Sequence, residues 1–184
     1  MLLCSFDENY EIRLLEFRHG KDLLGLAKNL EFKPQTNEWI FYTDPKQPEE
    51  SAKQHIKGGL EKIAQGKGLI AGIWCHEEMV GVIELDIVYP NIENSTATLD
   101  YFLSTDYRGK GIMTKACKAM TDYAFCELKI NRMELRIDTK NVKSCGIPDR
   151  LGFKKDGVLR QRVPYGDFFG DLAVYSILRS EWEQ

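Results

Sequence analysis

No cysteine framework holds this chain together. Its five cysteines, Cys4, Cys75, Cys117, Cys126 and Cys145, are odd in number and widely spaced, with no C-x-x-C pair. The three histidines, His19, His55 and His76, approach a cysteine only at Cys75-His76. This spacing argues against a structural zinc site or a disulfide scaffold, and the expectation is reduced thiols in the cytosol with no bound metal. Long hydrophobic runs are missing too. No stretch approaches the length that spans a bilayer, and the opening Met1-Leu-Leu-Cys-Ser-Phe-Asp-Glu is too short an apolar run for a signal peptide. A cytoplasmic protein without membrane contact is expected. Nor is there an excess of positive charge. The 25 Lys and Arg against 28 Asp and Glu leave a net charge of −3, which argues against nucleic-acid binding driven by bulk electrostatics. A mildly acidic surface does tolerate a cationic amine. Repeats, low-complexity tracts and linkers are absent, so residues 1–184 read as one domain.

What is present is an ordinary globular composition, 43% hydrophobic and 29% charged, with 11% aromatics that argue against disorder. At 184 residues the chain can bury a sizeable core. Residues 10–17 alternate enough for an opening strand. A helix follows over 22–30, with Leu23, Leu26, Ala27 and Leu30 on one face. Pro34, Pro45 and Pro48 break 31–48 into an irregular stretch, whose Trp39, Phe41 and Tyr42 either shape a substrate pocket or cap the core. Residues 49–65 read as a helix capped at Gly66. Strands over 69–75 and 79–88 form a hairpin around His76-Glu-Glu78, and 90–94 is a turn. A clean strand runs over 132–138. A short helix spans 141–151, with Pro148 tolerated as a first-turn residue. The last strands cover 158–163 and 171–178, joined through 164–166 and 168–170. Strands with helices between them predict an α/β fold, a mixed sheet with helices on both faces.

The chain is organised around residues 99–116. Tyr101, Phe102 and Leu103 end a strand begun at Ser95, Ser104 to Tyr107 is a polar break, and Arg108-Gly-Lys-Gly111 is a glycine-rich loop. From Ile112 a helical period takes over through Ala116, Ala119, Met120 and Tyr123, to about Leu128. Strand, glycine loop, helix is an order that leaves backbone N–H groups unpaired at a helix N-terminus, where a phosphate fits. An ordinary strand-to-helix turn gives the same pattern. A Walker loop occurs nowhere, and the dinucleotide fingerprint G-x-G-x-x-G fails because Thr114 holds its last position.

A third pattern matches. Arg108-x-x-Gly111-x-Met113 resembles the acyl-CoA pyrophosphate loop of the GCN5-related N-acetyltransferases, (Q/R)-x-x-G-x-(G/A). Asn141-x-x-Ser144 followed by Leu151-Gly-Phe153 is similar to the second signature of that family. The tail Asp171-x-x-Val174-Tyr-Ser176 resembles the final strand of its Rim-type branch, which acetylates ribosomal-protein N-termini. The resemblance implies a mostly antiparallel sheet splayed around an acyl-CoA slot. It implies that acetyl-CoA is the acyl donor, its pyrophosphate on the backbone of Arg108, Gly109, Lys110, Gly111, Ile112 and Met113. The Arg108 side chain is an extra donor in that arrangement. The amides of Phe102 and Leu103 would pair with the pantetheine arm, one of them facing the thioester oxygen, and Asn141 would bond the same arm.

The implied reaction is attack of a neutral amine on a thioester. A lysine amine has a pKa near ~10.4 and an α-amine near ~8, so a base matters less for an N-terminus. Glu84 and Asp100 are the candidate bases, each also readable as a solvated carboxylate on a strand. Many relatives carry a Tyr acid seven residues beyond the Asn; here that position is Pro148. Ser144, where Rim-type relatives carry a Ser, is the replacement acid, or else a capping hydroxyl. Cys145 has no nearby His to activate it and reads as an inert thiol. Tyr165 and Phe168-Phe169 lie in the loop where relatives close over the acceptor, and serve either the acceptor or packing. The Arg160-Gln-Arg162 pair reads as a solvated strand face. The acceptor is a protein N-terminus or a small amine such as a polyamine or aminoglycoside. A silent acyl-CoA sensor and a nucleotide-binding domain are the rival readings, and exposed aromatics permit a homo-oligomer.

Overall fold

The computed structural model describes residues 1–28, 47–90 and 95–182. Eight strands form one sheet in the order β1-β2-β3-β4-β5-β6-β8-β7. They are β1 (Leu2–Asp7), β2 (Tyr10–Leu14), β3 (Gly68–Cys75), β4 (Glu78–Ile87), β5 (Thr96–Leu103), β6 (Arg132–Asp138), β7 (Lys154–Tyr165) and β8 (Phe168–Leu178). The helices are α1 (Gly20–Lys28), α2 (Pro48–Ala64), α3 (Ile112–Cys126), α4 (Val142–Arg150) and the single turn α5 (Arg179–Trp182). Every described pairing is antiparallel except β5 with β6.

Helices cover both faces, as the pattern predicts. On one face Leu23 and Leu26 of α1 and Ala52 and Ile56 of α2 pack on Ile70, Trp74, Val82 and Phe102. On the other, α3 buries Ile112, Ala116, Met120 and Ala124 against Ile83, Leu85, Leu99 and Leu135. Because strand side chains alternate, each central strand feeds both cores, and β3 is buried along almost its whole length. α2 starts with Pro48 in its first turn beside Glu49 and Glu50, which suit the helix N-terminus. It ends in a Schellman arrangement: Gly66, at φ +63°, donates to Ile63 and Lys67 donates to Lys62.

Several expectations need correction. The first strand is β1, not the stretch at 10–17; bulges between Leu2 and Cys4 and between Ser5 and Asp7 break the alternation that would have revealed it. The chain then leaves the sheet at Leu14, and 17–19 form a 3-10 turn before α1. The final strands are longer than 158–163 and 171–178. Tyr165 pairs with Phe168 and Pro164 with Phe169, so these rings stand on the ends of a tight hairpin rather than in a loop. Bulges in β7, with Gln161 at φ +52°, hid its length. Pro148 sits in the last turn of α4, not the first, and leaves the Ser144 carbonyl without its intrahelical donor. The aromatic stretch Trp39, Phe41 and Tyr42 and most of the 90–94 turn lie outside the described residues.

One irregularity positions the site. The parallel pairing of β5 with β6 covers only Thr96–Thr98 against Arg132–Glu134. Beyond it the two strands part while each keeps its antiparallel neighbour.

Candidate active site

Which backbone groups line that gap follows from register. Ser104 donates to Val80 and Val88 to Thr96, and both pairs share the β4–β5 register. In an antiparallel ladder, hydrogen-bonded and non-bonded pairs alternate. The even-numbered residues of β5 therefore bond β4, and the odd ones turn their N–H and C=O towards β6. Thr139 donating to Asp171 and Arg179 to Asn131 give the complementary parity on β6, where odd residues bond β8. Tyr101 and Leu103 thus face the gap from one side and Arg136 from the other. The Phe102 amide turns to β4 and cannot serve a ligand in the gap. Tyr101, which the sequence reading passed over, takes its place; spacing by two from Leu103 was the available signal.

At the end of β5 the chain runs through a 3-10 turn at Thr105–Tyr107 into the glycine loop. Gly109 and Gly111 sit at φ +78° and +77°, and a Cβ on either would meet nothing within 4 Å. The left-handed backbone is what calls for glycine, and the space above it is open. Gly111 is the N-cap of α3 without any side-chain cap. The first helical bond is Lys115 to the Gly111 carbonyl, at 3.1 Å. Among the described residues the N–H groups of Gly109 through Thr114 have no protein partner, and the helix dipole adds positive potential there. The Ile112 and Met113 side chains are buried under the loop, so they offer only their amides. Lys110 lies over the Tyr107 ring, whose hydroxyl donates to Glu78 at 2.8 Å. Arg108 does not reach over the loop: its Nε donates to the Leu103 carbonyl at 2.8 Å and its guanidinium stacks on Phe102.

Across the gap, Asn141 caps α4, its Oδ1 accepting the Ser144 N–H at 3.2 Å. Ser144 contributes its amide to the cap, not its hydroxyl, which stands beside the buried Tyr101 hydroxyl. Burial first, with Cys117 next, raises the pKa of that phenol, and the neighbouring Ser144 hydroxyl opposes the rise. The Cys145 thiol points to the Asp138 carbonyl at 3.7 Å.

Glu84 and Asp100 lie on the opposite face. They are direct cross-strand partners, sharing the side of the sheet that α2 covers. Lys62, in the last turn of α2, bonds Glu84 and also Asp86 at 2.6 Å. Burial raises the Glu84 pKa, with Lys62 opposing. Asp100 retains solvent access, yet it is set among enough protein, with Glu84 and Asp86 close, that its carboxyl is pushed up to about 6. Arg136 and Lys62 oppose that rise. The gap is therefore flanked by Tyr101 and Ser144 on one face and by Asp100 and Glu84 on the other.

The model of the acetyltransferase (GNAT) domain matches residues 12–154, which take in the glycine loop, the gap and α4. The chain belongs to the GNAT acetyltransferase family. This acetyltransferase is 30% identical over 186 residues to a Bacillus subtilis (strain 168) protein named "Putative ribosomal N-acetyltransferase YdaF", covering 100% of this chain and 98% of that one. A crystal structure of a probable acetyltransferase superposes with a TM-score of 0.84 at 29% identity, over 99% of both chains. RimL, a ribosomal-protein α-N-acetyltransferase solved in complex with coenzyme A, has the same fold, with a TM-score of 0.85 at 24% identity over 97% of this chain and 98% of that one. The acetyltransferase expected from Arg108-x-x-Gly111, Asn141 and Ser144 is thus an enzyme of the expected family and Rim-type branch.

Proposed function

We propose that this acetyltransferase moves an acetyl group from acetyl-CoA to the N-terminal α-amine of a protein, a ribosomal protein by likeness to its relatives. The observation that carries the reading is the continuity of the gap with the loop: donors at Tyr101 and Leu103 lead directly to the row at 109–114. An extended amide arm ending in a diphosphate matches that path. Asn141 retains its amide NH2 for the arm, since its carbonyl oxygen is engaged by Ser144. Arg108, turned onto Leu103, holds the end of β5 and needs to swing out to touch a phosphate.

The amine would approach from the Asp100 face. Its nitrogen bonds the thioester carbon, and the oxyanion that forms is met by the Leu103 N–H. The extra proton on nitrogen passes to Asp100 directly or through water; a carboxyl titrating near 6 is ionised at neutral pH and closer to an amine in proton affinity than an ordinary Asp. Glu84, bonded to Lys62, supports Asp100 by raising its proton affinity. The C–S bond then breaks and the CoA thiolate takes a proton from the Ser144 hydroxyl, which Tyr101 and solvent can replenish. A small amine such as a polyamine or aminoglycoside is the second reading, favoured by the acidic trio Glu84, Asp86 and Asp100 on the acceptor face. Labelled acetyl-CoA incubated with the enzyme and a lysate proteome, followed by mass spectrometry, tests the choice. Label on protein α-amines supports the proposal, and label confined to small amines defeats it. Coenzyme A binding without turnover on any amine would instead make the protein an acyl-CoA sensor.

A further inference from the structure

Asp138 closes β6 at the wide end of the gap, on the same face as Arg136 and Asp100. It is 6% exposed. Its Oδ1 accepts the Lys140 N–H at 2.8 Å, whereas Oδ2 is buried without a partner, the one carboxylate oxygen in that state among the described residues. A sealed carboxylate oxygen with no donor is costly, and such an atom in a native site calls for a partner the free protein does not supply. Lys140 makes no ion pair with it. The Lys140 ammonium lies instead over the Phe168 and Tyr165 rings, 4.8 and 5.6 Å from their centroids.

The surroundings of Oδ2 are shaped around it. Gly170 of β8 has no side chain where a Cβ would stand 2.5 Å from the Tyr165 ring and 3.5 Å from Oδ2. Tyr165 stacks on Phe168 at 5.1 Å, and Phe168, at the tip of the β7–β8 hairpin, is 46% exposed. The carboxylate therefore lies beneath a cover made of Tyr165, held in place, and of two surface side chains, Phe168 and Lys140, that can be displaced.

We infer that Asp138 is an acceptor-binding residue: its Oδ2 accepts an N–H of the incoming cationic amine, which displaces Lys140 and Phe168 and rests against the Tyr165 ring. The inference rests on acetyl transfer from acetyl-CoA to an amine, but not on that amine being a protein N-terminus. A cation is the occupant because an anionic acceptor oxygen, framed by aromatic faces that already hold an ammonium, favours positive charge.

The test compares wild type with Asp138→Asn, which keeps the Oδ1 bond to Lys140, using whichever peptide or polyamine wild type acetylates best. The expected result is a rise of about tenfold or more in the acceptor KM, the effect of losing one charge-assisted hydrogen bond, with the acetyl-CoA KM within about twofold. Gly170→Ala, whose Cβ pushes Tyr165 aside and meets Oδ2 only in van der Waals contact, should move the acceptor KM in the same direction and covers the case in which Asp138→Asn does not fold. An unchanged acceptor KM, or equal rises for both substrates, would overturn the inference, the first meaning that only a trapped water meets Oδ2. A wild type that acetylates polyamines alone would defeat the N-terminal reading while leaving this comparison intact.

Discussion

Gly111 carries a backbone requirement on which the proposed ligand contact would depend. It enters α3 at φ +77°, a conformation costly for a β-branched side chain, with open space where a Cβ would be. Gly111→Val should therefore raise the KM for acetyl-CoA by tenfold or more, roughly the loss of one or two amide contacts, while circular dichroism stays native. Unchanged CoA affinity would remove the loop from the site. Asp100 carries a different tension. Its folded pKa of about 6 exceeds the ordinary 3.8, so the protonated carboxyl favours folding fully below 3.8 and that contribution is lost as pH rises through about 6. Asp100→Asn is expected to stabilise the protein at pH 7.5 by on the order of 1 kcal/mol, a figure reduced for its solvent access, and by much less at pH 3.5. If Asp100 is the base, the same variant loses turnover together with the acidic limb near pH 6. A variant that is neither more stable nor slower would return Asp100 to the solvated strand residue it first resembled.

At the scale of elements, α2 is locked to the sheet by Lys62 between Glu84 and Asp86. Burial opposes the Lys62 charge, but its bonds to both carboxylates outweigh that and raise its pKa, so it is fully cationic from pH 5 to 8. Lys62→Ala leaves Glu84, Asp86 and Asp100 facing one another. The expected loss is about 1–3 kcal/mol in urea melts at pH 8, shrinking towards pH 5 as the raised carboxyls take up protons. An equal loss at both pH values would mean that Lys62 contributes only packing. None of this trio was visible as a unit before the β4–β5 register set Glu84 opposite Asp100. What was legible were elements whose period survives packing: β6 over 132–138, α2 with its Gly66 stop, and α3 after the glycine loop. Bulged strands were not, because a bulge shifts the side-chain phase that alternation reads; β1 and the ends of β7 were missed for that reason. The site divides the same way. The glycine loop is a local motif, whereas the choice between Phe102 and Tyr101 at the gap, and the enclosure of Asp138, depend on pairing between distant strands.

For the whole molecule, the consequence of the parted strands is a sheet with an unfinished interior edge. Tyr101 and Leu103 point N–H groups into the gap, and six more amides, 109–114, have no partner among the described residues at its mouth. A native sheet rarely leaves central backbone groups without partners, so a ligand completing them should bind the folded state alone and stabilise it by mass action. At a hundredfold its Kd, coenzyme A should add about 2.7 kcal/mol, which for a chain of 184 residues corresponds to a rise in Tm of about 5–10 °C. The same bound state should slow amide exchange at 109–113 and at Tyr101 and Leu103, whereas Phe102, already turned to β4, should change far less. That pattern separates occupation of the gap from general tightening, since tightening slows exchange across β4 and β8 alike. A rise in Tm without protection at the glycine loop would place coenzyme A elsewhere on the molecule, and Gly111→Val, about tenfold weaker at the same coenzyme A concentration, should cut the gain in stability to about half.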